Sequence, residues 1–155
     1  MHFVLYMKTS KQRPCQISAI VVDDDQNITN MICDLLHFGG VDVIGVGHNG
    51  KEAVDLYLKL RPDVVFLDIM MPKYDGFYAI ENIRLVNEHA KILMVTCDLS
   101  ETTVERLQKI PSLEVVSKPF DLNYLLKGLD KLLSSSASSM AFNGATGTLF
   151  PEISQ

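Results

Sequence analysis

Polar residues that could perform chemistry follow four separate apolar runs of this chain. In chain order they are Asp23 with Asp24 and Asp25, then Asp68, Thr96 and Lys118. If each run is a strand of a parallel sheet, the carboxyl ends of the strands lie side by side and form a binding crevice. The sequence therefore predicts one site that contains several carboxylates, a hydroxyl and an ammonium group. Such a set suits a hard divalent cation and a phosphoryl group.

The three acids Asp23, Asp24 and Asp68 form the core of the predicted site. Carboxylates a few ångströms apart repel one another by several kcal/mol at an effective dielectric constant near ~20. Such a cluster persists when a cation relieves the repulsion or when pKa values shift. Oxygen ligands alone favour magnesium, manganese or calcium over zinc. The simpler alternative is that the run Asp23–Asp25 is a solvated turn, and the separate position of Asp68 argues against it.

Composition limits the classes of protein to which the chain can belong. Its 155 residues favour one domain, and contents of 47% hydrophobic and 21% charged residues are typical of a globular core. The net charge of −5 provides no basic surface for nucleic acid. Cys15, Cys33 and Cys97 match neither a disulfide framework nor a zinc site, which predicts a cytoplasmic protein. No apolar run approaches the ~20 residues needed to cross a membrane, so no membrane partner is expected.

Strand and helix patterns alternate through the central part of the chain. Helical spacing is clearest in Ile28, Met31 and Ile32, and Asn49 and Ser100 are candidate helix starts. We predict strands at 18–22, 41–46, 63–67, 91–96 and 113–117. We predict helices at 27–38, 50–60, 77–89, 100–110 and 121–133. This alternation is typical of an α/β fold with a doubly wound parallel sheet.

The ends of the chain differ in composition from its centre. Residues 1–17 carry no sustained periodicity and are predicted to be a disordered N-terminal extension. The periodic pattern, and with it the predicted domain, spans 18–133. Residues 134–155 begin with a serine-rich run and carry a single charge, Glu152, which is typical of a linker. We therefore predict a disordered C-terminal tail, with no output domain after residue 133.

Four short motifs carry a resemblance to a known family. They are Val21-Val22-Asp23-Asp24, Leu67-Asp68-Ile69-Met70-Met71-Pro72 with Asp75-Gly76, Val95-Thr96, and Lys118-Pro119-Phe120. In order and spacing the sequence resembles the receiver domain of two-component response regulators, similar to the chemotaxis regulators. The resemblance implies a flavodoxin-like fold with five parallel strands in the order 2-1-3-4-5 and helices on both faces. It also implies a stand-alone phosphorelay protein rather than an enzyme with its own substrate.

The resemblance further assigns a role to each site residue. Asp68 is expected to accept a phosphoryl group from a histidine kinase or a histidine phosphotransfer protein. Asp23, Asp24, Asp68 and the carbonyl group of Met70 are expected to hold Mg2+. Thr96 and Lys118 are expected to contact the phosphoryl oxygens, and a cis bond before Pro119 would direct Lys118 towards the site.

Three positions depart from the usual family pattern. Val115 stands where an aromatic switch residue is common, Cys97 follows Thr96 where a small residue is common, and Pro111 replaces a usual glycine. These positions lie on or beside the face formed by the fourth helix, fifth strand and fifth helix. Receivers commonly contact output partners through that face. The departures therefore concern output more than phosphorylation.

Three other functions are compatible with parts of the sequence. The same fold could act as a scaffold that binds partners without being phosphorylated. Asp23 and Asp25 form an Asp-x-Asp pair after a strand, which resembles the haloacid-dehalogenase phosphatases, although Asn27 stands where those enzymes usually carry Thr or Val. The run from Gly45 to Gly50 matches G-x-G-x-x-G, the pattern of a dinucleotide site. A dinucleotide site of this kind has an acid ~20 residues further on, which here would be Asp68 itself. We therefore interpret the run as a simple loop before a helix.

Overall fold

The computed structural model describes residues 16–140, with side chains to Ser135. The strands are β1 (Ser18–Val22), β2 (Asp42–Gly47), β3 (Val64–Leu67), β4 (Ile92–Thr96) and β5 (Leu113–Ser117). The helices are α1 (Gln26–Phe38), α2 (Gly50–Leu60), α3 (Gly76–Val86), α4 (Glu101–Gln108) and α5 (Leu122–Met140). Within this part of the chain, no helix is both long and apolar enough to cross a membrane.

The five strands form one parallel sheet in the order β2-β1-β3-β4-β5, as predicted. Helices α2, α3 and α4 pack on one face, where Ala53, Phe77 and Leu107 join the core. Helices α1 and α5 pack on the other face through residues such as Leu36 and Leu129. Strands β1, β3 and β4 are buried on both sides, which explains their uninterrupted apolar runs. The chain thus has the predicted flavodoxin-like, doubly wound α/β architecture.

The glycine-rich run before α2 serves helix packing. A Cβ atom at Gly45 would lie 2.9 Å from Leu60 Cδ1, and one at Gly47 would lie 3.2 Å from Leu56 Cδ1. Asn49 then caps α2, because its side-chain oxygen accepts the Glu52 N–H at 3.0 Å. The predicted helix start at Asn49 is therefore confirmed. The glycines allow α2 to approach β2 closely, which accounts for the pattern without a dinucleotide.

Helix ends show where tertiary contacts override local pattern. α3 ends at Val86, although the pattern predicts a helix to residue 89. Asn87 adopts an extended backbone and donates its side-chain N–H to Tyr57 Oη at 2.8 Å, so a contact distant in sequence ends the helix. α5 continues to Met140, seven residues beyond the predicted end at 133.

The longer α5 alters the prediction for the C-terminal segment. Its serine and alanine residues are tolerated in helices, and the segment to residue 140 contains no glycine or proline after Gly128. The tail predicted as disordered thus begins as helix, while residues 141–155 lie outside the described part of the chain. Of the N-terminal extension predicted at 1–17, residues 1–15 lie outside it as well. The domain boundaries at 17/18 and 133/134 stay predictions.

Candidate functional site

The end of β1 places Asp23 at the centre of the carboxyl edge of the sheet. Its N–H donates to the carbonyl of Gly47 at 3.2 Å, which ties β1 to the neighbouring strand β2. Its Oδ1 accepts the Asp25 N–H at 2.9 Å, and the residue is 2% exposed. Asp25 caps α1 by accepting the N–H of Asn27 at 2.8 Å. Asp23 therefore faces the site, whereas the Asp25 carboxylate serves the helix.

Asp68 follows β3 and is held from both directions. Its N–H donates to the Val22 carbonyl at 3.0 Å, and its Oδ1 accepts the Ile69 N–H at 2.8 Å. The residue is 6% exposed. The loop after Asp68 folds back tightly, because the Gly76 N–H donates to the Ile69 carbonyl at 2.9 Å. Backbone contacts on both sides thus fix the orientation of this carboxylate.

Lys118 and Thr96 complete the site from β5 and β4. Lys118 Nζ lies 2.5 Å from Asp23 Oδ2 and 3.5 Å from Asp68 Oδ2. Its N–H donates to the Thr96 carbonyl at 2.9 Å, and the bond between Lys118 and Pro119 is cis, as the resemblance implies. Thr96 is fully buried, and its hydroxyl acts to lower the pKa of Asp68. Residues from four strand ends therefore meet at one site.

The acids could together hold a metal ion. Asp23, Asp24 and Asp68 each offer a carboxylate oxygen, and these atoms lie within 4.8 Å of one another. Asp24 is exposed, whereas Asp23 and Asp68 are buried. The Met70 side chain is 64% exposed and lines a shallow groove together with Asp24. The prediction for Met70 concerns its backbone carbonyl oxygen and does not depend on where this side chain lies. An oxygen-only set of this size suits a hard cation such as Mg2+.

Two buried acids, Asp23 and Asp68, share the single ammonium group of Lys118. Burial raises the pKa of Asp68, and the charge of Asp23 acts in the same direction; Lys118, the Ile69 amide and the Thr96 hydroxyl act against them. Burial alone would lower the pKa of Lys118, but its hydrogen bond to Asp23 and the charge of Asp68 raise it overall. The lysine therefore stays charged, and Asp68 carries its negative charge at a free-energy cost.

Two contacts beside the site were not predicted from the sequence. His48 Nδ1 lies 3.2 Å from the carbonyl oxygen of Asp23, which links the loop after β2 to the loop after β1. Asp98 Oδ2 accepts a hydrogen bond from Thr103 Oγ1 at 2.6 Å, at the start of α4. Ser100, the predicted start of that helix, occupies the cap position without a side-chain cap bond. In the sequence, the Asp98 contact corresponds to an acid five residues before a threonine. This pattern is common and does not predict a hydrogen bond.

Gly76 offers a stability test of the loop that positions Asp68. A Cβ atom at Gly76 would collide with the Asp68 carbonyl oxygen and lie 2.8 Å from Ile69 Cα, both parts of the backbone. We expect Gly76→Ala to lower the free energy of unfolding by about 2 kcal/mol, as overpacking of a rigid site does. The control is Gly39→Ala, whose nearest neighbour is the flexible end of Leu126, and we expect a change below about 1 kcal/mol. Urea unfolding of both variants measures the difference, and equal effects would contradict the close approach.

Comparison with known protein families identifies the class. The model of the response regulator receiver domain matches residues 19–130. Together with the sheet order and the acid cluster, this match shows that the chain belongs to the response regulator receiver domain family of two-component signalling.

Individual relatives agree with that assignment. Chemotaxis protein CheY of Thermotoga maritima is 32% identical over 113 residues, which cover 73% of this chain and 94% of that protein. A protein-glutamate methylesterase/protein-glutamine glutaminase of Halobacterium salinarum is 36% identical over 104 residues, which cover 65% of this chain but only 29% of the enzyme. The crystal structure of the CheX–CheY–BeF3–Mg2+ complex of Borrelia burgdorferi aligns with a TM-score of 0.71 at 25% identity, covering 76% of this chain and 89% of that one.

Proposed function

We propose that Asp68 accepts a phosphoryl group from a phosphohistidine of a histidine kinase or histidine phosphotransfer protein. The observation that supports this proposal most directly is that four strand ends converge near one carboxylate. Lys118 Nζ lies 3.5 Å from Asp68 Oδ2, and the Thr96 hydroxyl acts to lower the pKa of the same carboxylate. Both groups can donate hydrogen bonds, so we expect them to contact the oxygens of an attached phosphoryl group. The same convergence is expected from the family to which the chain belongs.

In the proposed transfer, a carboxylate oxygen of Asp68 attacks the phosphorus atom of the donor. The bond between phosphorus and the donor imidazole nitrogen breaks, and that nitrogen retains the electron pair and takes up a proton. The product is a mixed anhydride of the Asp68 carboxyl group and phosphate, which water can later hydrolyse. A carboxylate is a weak nucleophile, so positioning and charge stabilisation by Lys118 and Thr96 supply most of the acceleration.

Asp23, Asp24, Asp68 and the Met70 carbonyl group would hold Mg2+ in this function. Three carboxylate oxygens within 4.8 Å of one another fit this cation, and a related CheY complex contains Mg2+. When bound, the cation would offset the negative charge that accumulates between the acids and the phosphoryl oxygens. Asp23 is already oriented for this role by the N–H of Asp25 and by Lys118.

The partners and setting follow from the same proposal. The output face consists of α4, β5 and α5, on which Val115 is 38% and Tyr124 is 65% exposed. We propose that an output protein binds there. Among similar structures, the CheY of Borrelia burgdorferi forms a complex with another protein, CheX. Cys33 and Cys97 are free thiols, consistent with the cytoplasm. The chain would catalyse only its own phosphoryl transfer and dephosphorylation.

The structure also bears on the phosphatase alternative. A dehalogenase-like site would use Asp23 as the nucleophile and the second acid of the pair, Asp25, as the general acid. The Asp25 carboxylate instead accepts N–H groups of Asn27 and Ile28 at the start of α1, at 2.8 and 3.4 Å. This role is a standard helix cap and leaves Asp25 unsuited to proton transfer in the site.

Phosphate mapping tests the proposed function. The protein is incubated with acetyl phosphate or phosphoramidate and Mg2+, and its intact mass and peptide masses are measured. We expect one added phosphoryl group, located on Asp68 and dependent on Mg2+. Phosphate on Asp23 would favour the phosphatase alternative, and no incorporation from either donor or from a phosphohistidine protein would favour the scaffold. The Asp24→Asn variant is expected to incorporate the group at least about tenfold more slowly, because one cation ligand loses its charge.

A further inference from the structure

A long groove runs between helices α3 and α4, on the side of the sheet away from α5. Its volume is about 1460 Å³, larger than the roughly 300–1,000 Å³ of a small-molecule pocket. Its apolar lining includes Phe77 and Ile80 of α3, together with Ile110 and Leu113 after the end of α4. Ile110 and Leu113 pack against the core but are only half-buried. The groove is thus large enough for a peptide segment and offers it apolar surface.

Arg84 fixes the distance between the two walls of the groove. Its guanidinium group donates to the Glu88 carbonyl at 3.0 Å and to the Ser112 carbonyl at 3.1 Å. These bonds connect the loop after α3 to the turn between α4 and β5. A groove whose walls are already connected needs little ordering when a segment binds, which favours binding.

Three cations along the groove lack an acidic partner. They are Lys91, before β4, and Arg106 and Lys109, on the α4 side. None of the three forms an ion pair within residues 16–135, for which side chains are described. Arg106 instead stacks on the Phe77 ring, with its guanidinium carbon 3.5 Å from the ring centre. An acidic group that entered the groove would therefore meet unpaired positive charge.

The acids that line the groove do not neutralise these cations. Asp63 accepts a serine hydroxyl at 2.9 Å, and Glu114 pairs with a lysine of α5 at 2.9 Å. Glu88 lies 3.5 Å from His89, and Glu81 is exposed at the rim. The groove therefore suits an apolar segment that carries an acid and no base.

The C-terminal part of this chain contains such a segment. Residues 148–153 are Thr-Leu-Phe-Pro-Glu-Ile, and Glu152 is their only charged residue. The proline favours an extended backbone in the residue before it. Side chains alternate along an extended segment, so Leu149, Pro151 and Ile153 share one face. The segment thus combines an apolar face with one acid.

Helix α5 leads this segment to the lower end of the groove. Ser135 of α5 lines the groove at the edge of the sheet where β3, β4 and β5 begin. The helix continues to Met140, which is about 7.5 Å farther at 1.5 Å per residue. Residues 141–147 can span up to ~23 Å, and Asn143-Gly144 among them is a common turn sequence. This reach covers the return to Ser135 and a crossing of roughly 10 Å between packed layers.

We propose that residues 148–153 dock in the groove between α3 and α4 of the same molecule. The apolar face of the segment covers the lining of the groove, and Glu152 lies among Lys91, Arg106 and Lys109. The docked segment closes this groove to other partners. The docking does not depend on the proposed phosphorylation of Asp68.

Amide hydrogen exchange of the full chain, measured by NMR at two protein concentrations, tests the docking. The amides of Leu149, Phe150 and Ile153 should exchange at least about tenfold more slowly than in an unstructured peptide, which corresponds to ~1.4 kcal/mol. Those of Ala145 and Gly147, in the connecting part, should be slowed less than about threefold. The protection should be equal at both concentrations, because docking within one molecule does not follow mass action.

Charge reversal in the groove tests where the segment docks. In Lys91→Glu/Lys109→Glu, Glu152 would face acids, and its protection should fall below about threefold. Lys59→Glu/Lys127→Glu is the matched control, because it changes the net charge equally on α2 and α5, outside the groove. It should keep the wild-type protection. Exchange of strand amides in the same spectra shows whether each variant keeps its fold.

A substitution in the segment itself tests the apolar contact without altering the domain. Ile153→Ser should remove the protection of Leu149 and Phe150, whereas Ala145→Ser, in the connecting part, should preserve it. An unprotected segment in the wild type overturns the proposal. Protection that survives Lys91→Glu/Lys109→Glu places the segment elsewhere and also overturns it.

Two further outcomes would contradict the proposal. Protection that rises with concentration, together with a dimer mass in sedimentation, would place the segment in the groove of a second copy. An equal loss of protection in Lys59→Glu/Lys127→Glu would show a general effect of net charge. None of these outcomes bears on phosphate incorporation at Asp68, so the docking and the proposed function can fail separately.

Discussion

Replacing Asp68 with asparagine is expected to abolish phosphoryl incorporation and, at neutral pH in the presence of a chelator, to increase the stability of the fold. The amide lacks the negative charge needed to attack phosphorus, so incorporation should fall at least about a thousandfold. The amide oxygen can still accept the Ile69 N–H that now donates at 2.8 Å to Asp68 Oδ1. The substitution therefore removes a buried charge and preserves its main backbone contact.

The stability gain should depend on pH with a defined sign. The pKa of Asp68 is raised in the folded protein, chiefly by burial, so folding favours its protonated form. The stabilising contribution of that form is complete below the unfolded pKa of ~3.9 and is lost as the pH rises through the folded pKa. The advantage of Asp68→Asn over the wild type is thus expected above the folded pKa and should shrink as the pH falls towards ~3.9.

Urea unfolding at several pH values measures this advantage, and acetyl phosphate labelling measures the loss of function. The control is Asp55→Asn, which removes an exposed carboxylate paired with Lys51 at 3.1 Å. It should label at the wild-type rate and change the free energy of unfolding by less than about 1 kcal/mol. An asparagine variant at position 68 that is less stable than the wild type at neutral pH would contradict the electrostatic description of the site.

Replacing Lys118 with methionine is expected to impair both stability and phosphorylation. Lys118 Nζ lies 2.5 Å from Asp23, which is 2% exposed, so its removal leaves a buried carboxylate without its cationic partner. The free energy of unfolding should fall by about 3 kcal/mol. Phosphorylation should slow by roughly a hundredfold or more, because one donor to the developing phosphoryl charge is lost.

A second substitution separates these two effects. In Asp23→Asn/Lys118→Met the buried charge is removed with its partner, so stability should return to within about 1 kcal/mol of the wild type while phosphorylation stays impaired. Lys131→Met is the matched control, because this lysine is 73% exposed in its pair with Glu114 at 2.9 Å and should contribute less than about 1 kcal/mol. Because Asp23 is also a proposed Mg2+ ligand, the phosphorylation rate of the double variant is compared with that of Asp23→Asn alone. Equal rates in these two variants would show that Lys118 acts only through the stability of the fold.

Much of the fold could be predicted because its signals are local. Buried parallel strands require uninterrupted apolar runs, and the runs ending before Asp23, Asp68 and Thr96 are β1, β3 and β4. The end of α3 could not be predicted in this way, since the Asn87 contact with Tyr57 joins residues 30 positions apart. The Ser100 cap was likewise predicted from local preference, whereas the helix-start contacts come from Asp98.

The sequence by itself determined which groups could meet, because parallel strand ends must share one edge of the sheet and each of these strands ends in a polar residue. The sequence did not determine which acid would pair with the lysine and which would cap a helix. Only the tertiary structure paired Lys118 with Asp23 more closely than with Asp68, assigned Asp25 to the cap of α1 and joined Thr96 to Asp98. These outcomes depend on distances of a few ångströms between side chains up to 95 positions apart, and residue type and spacing cannot specify them.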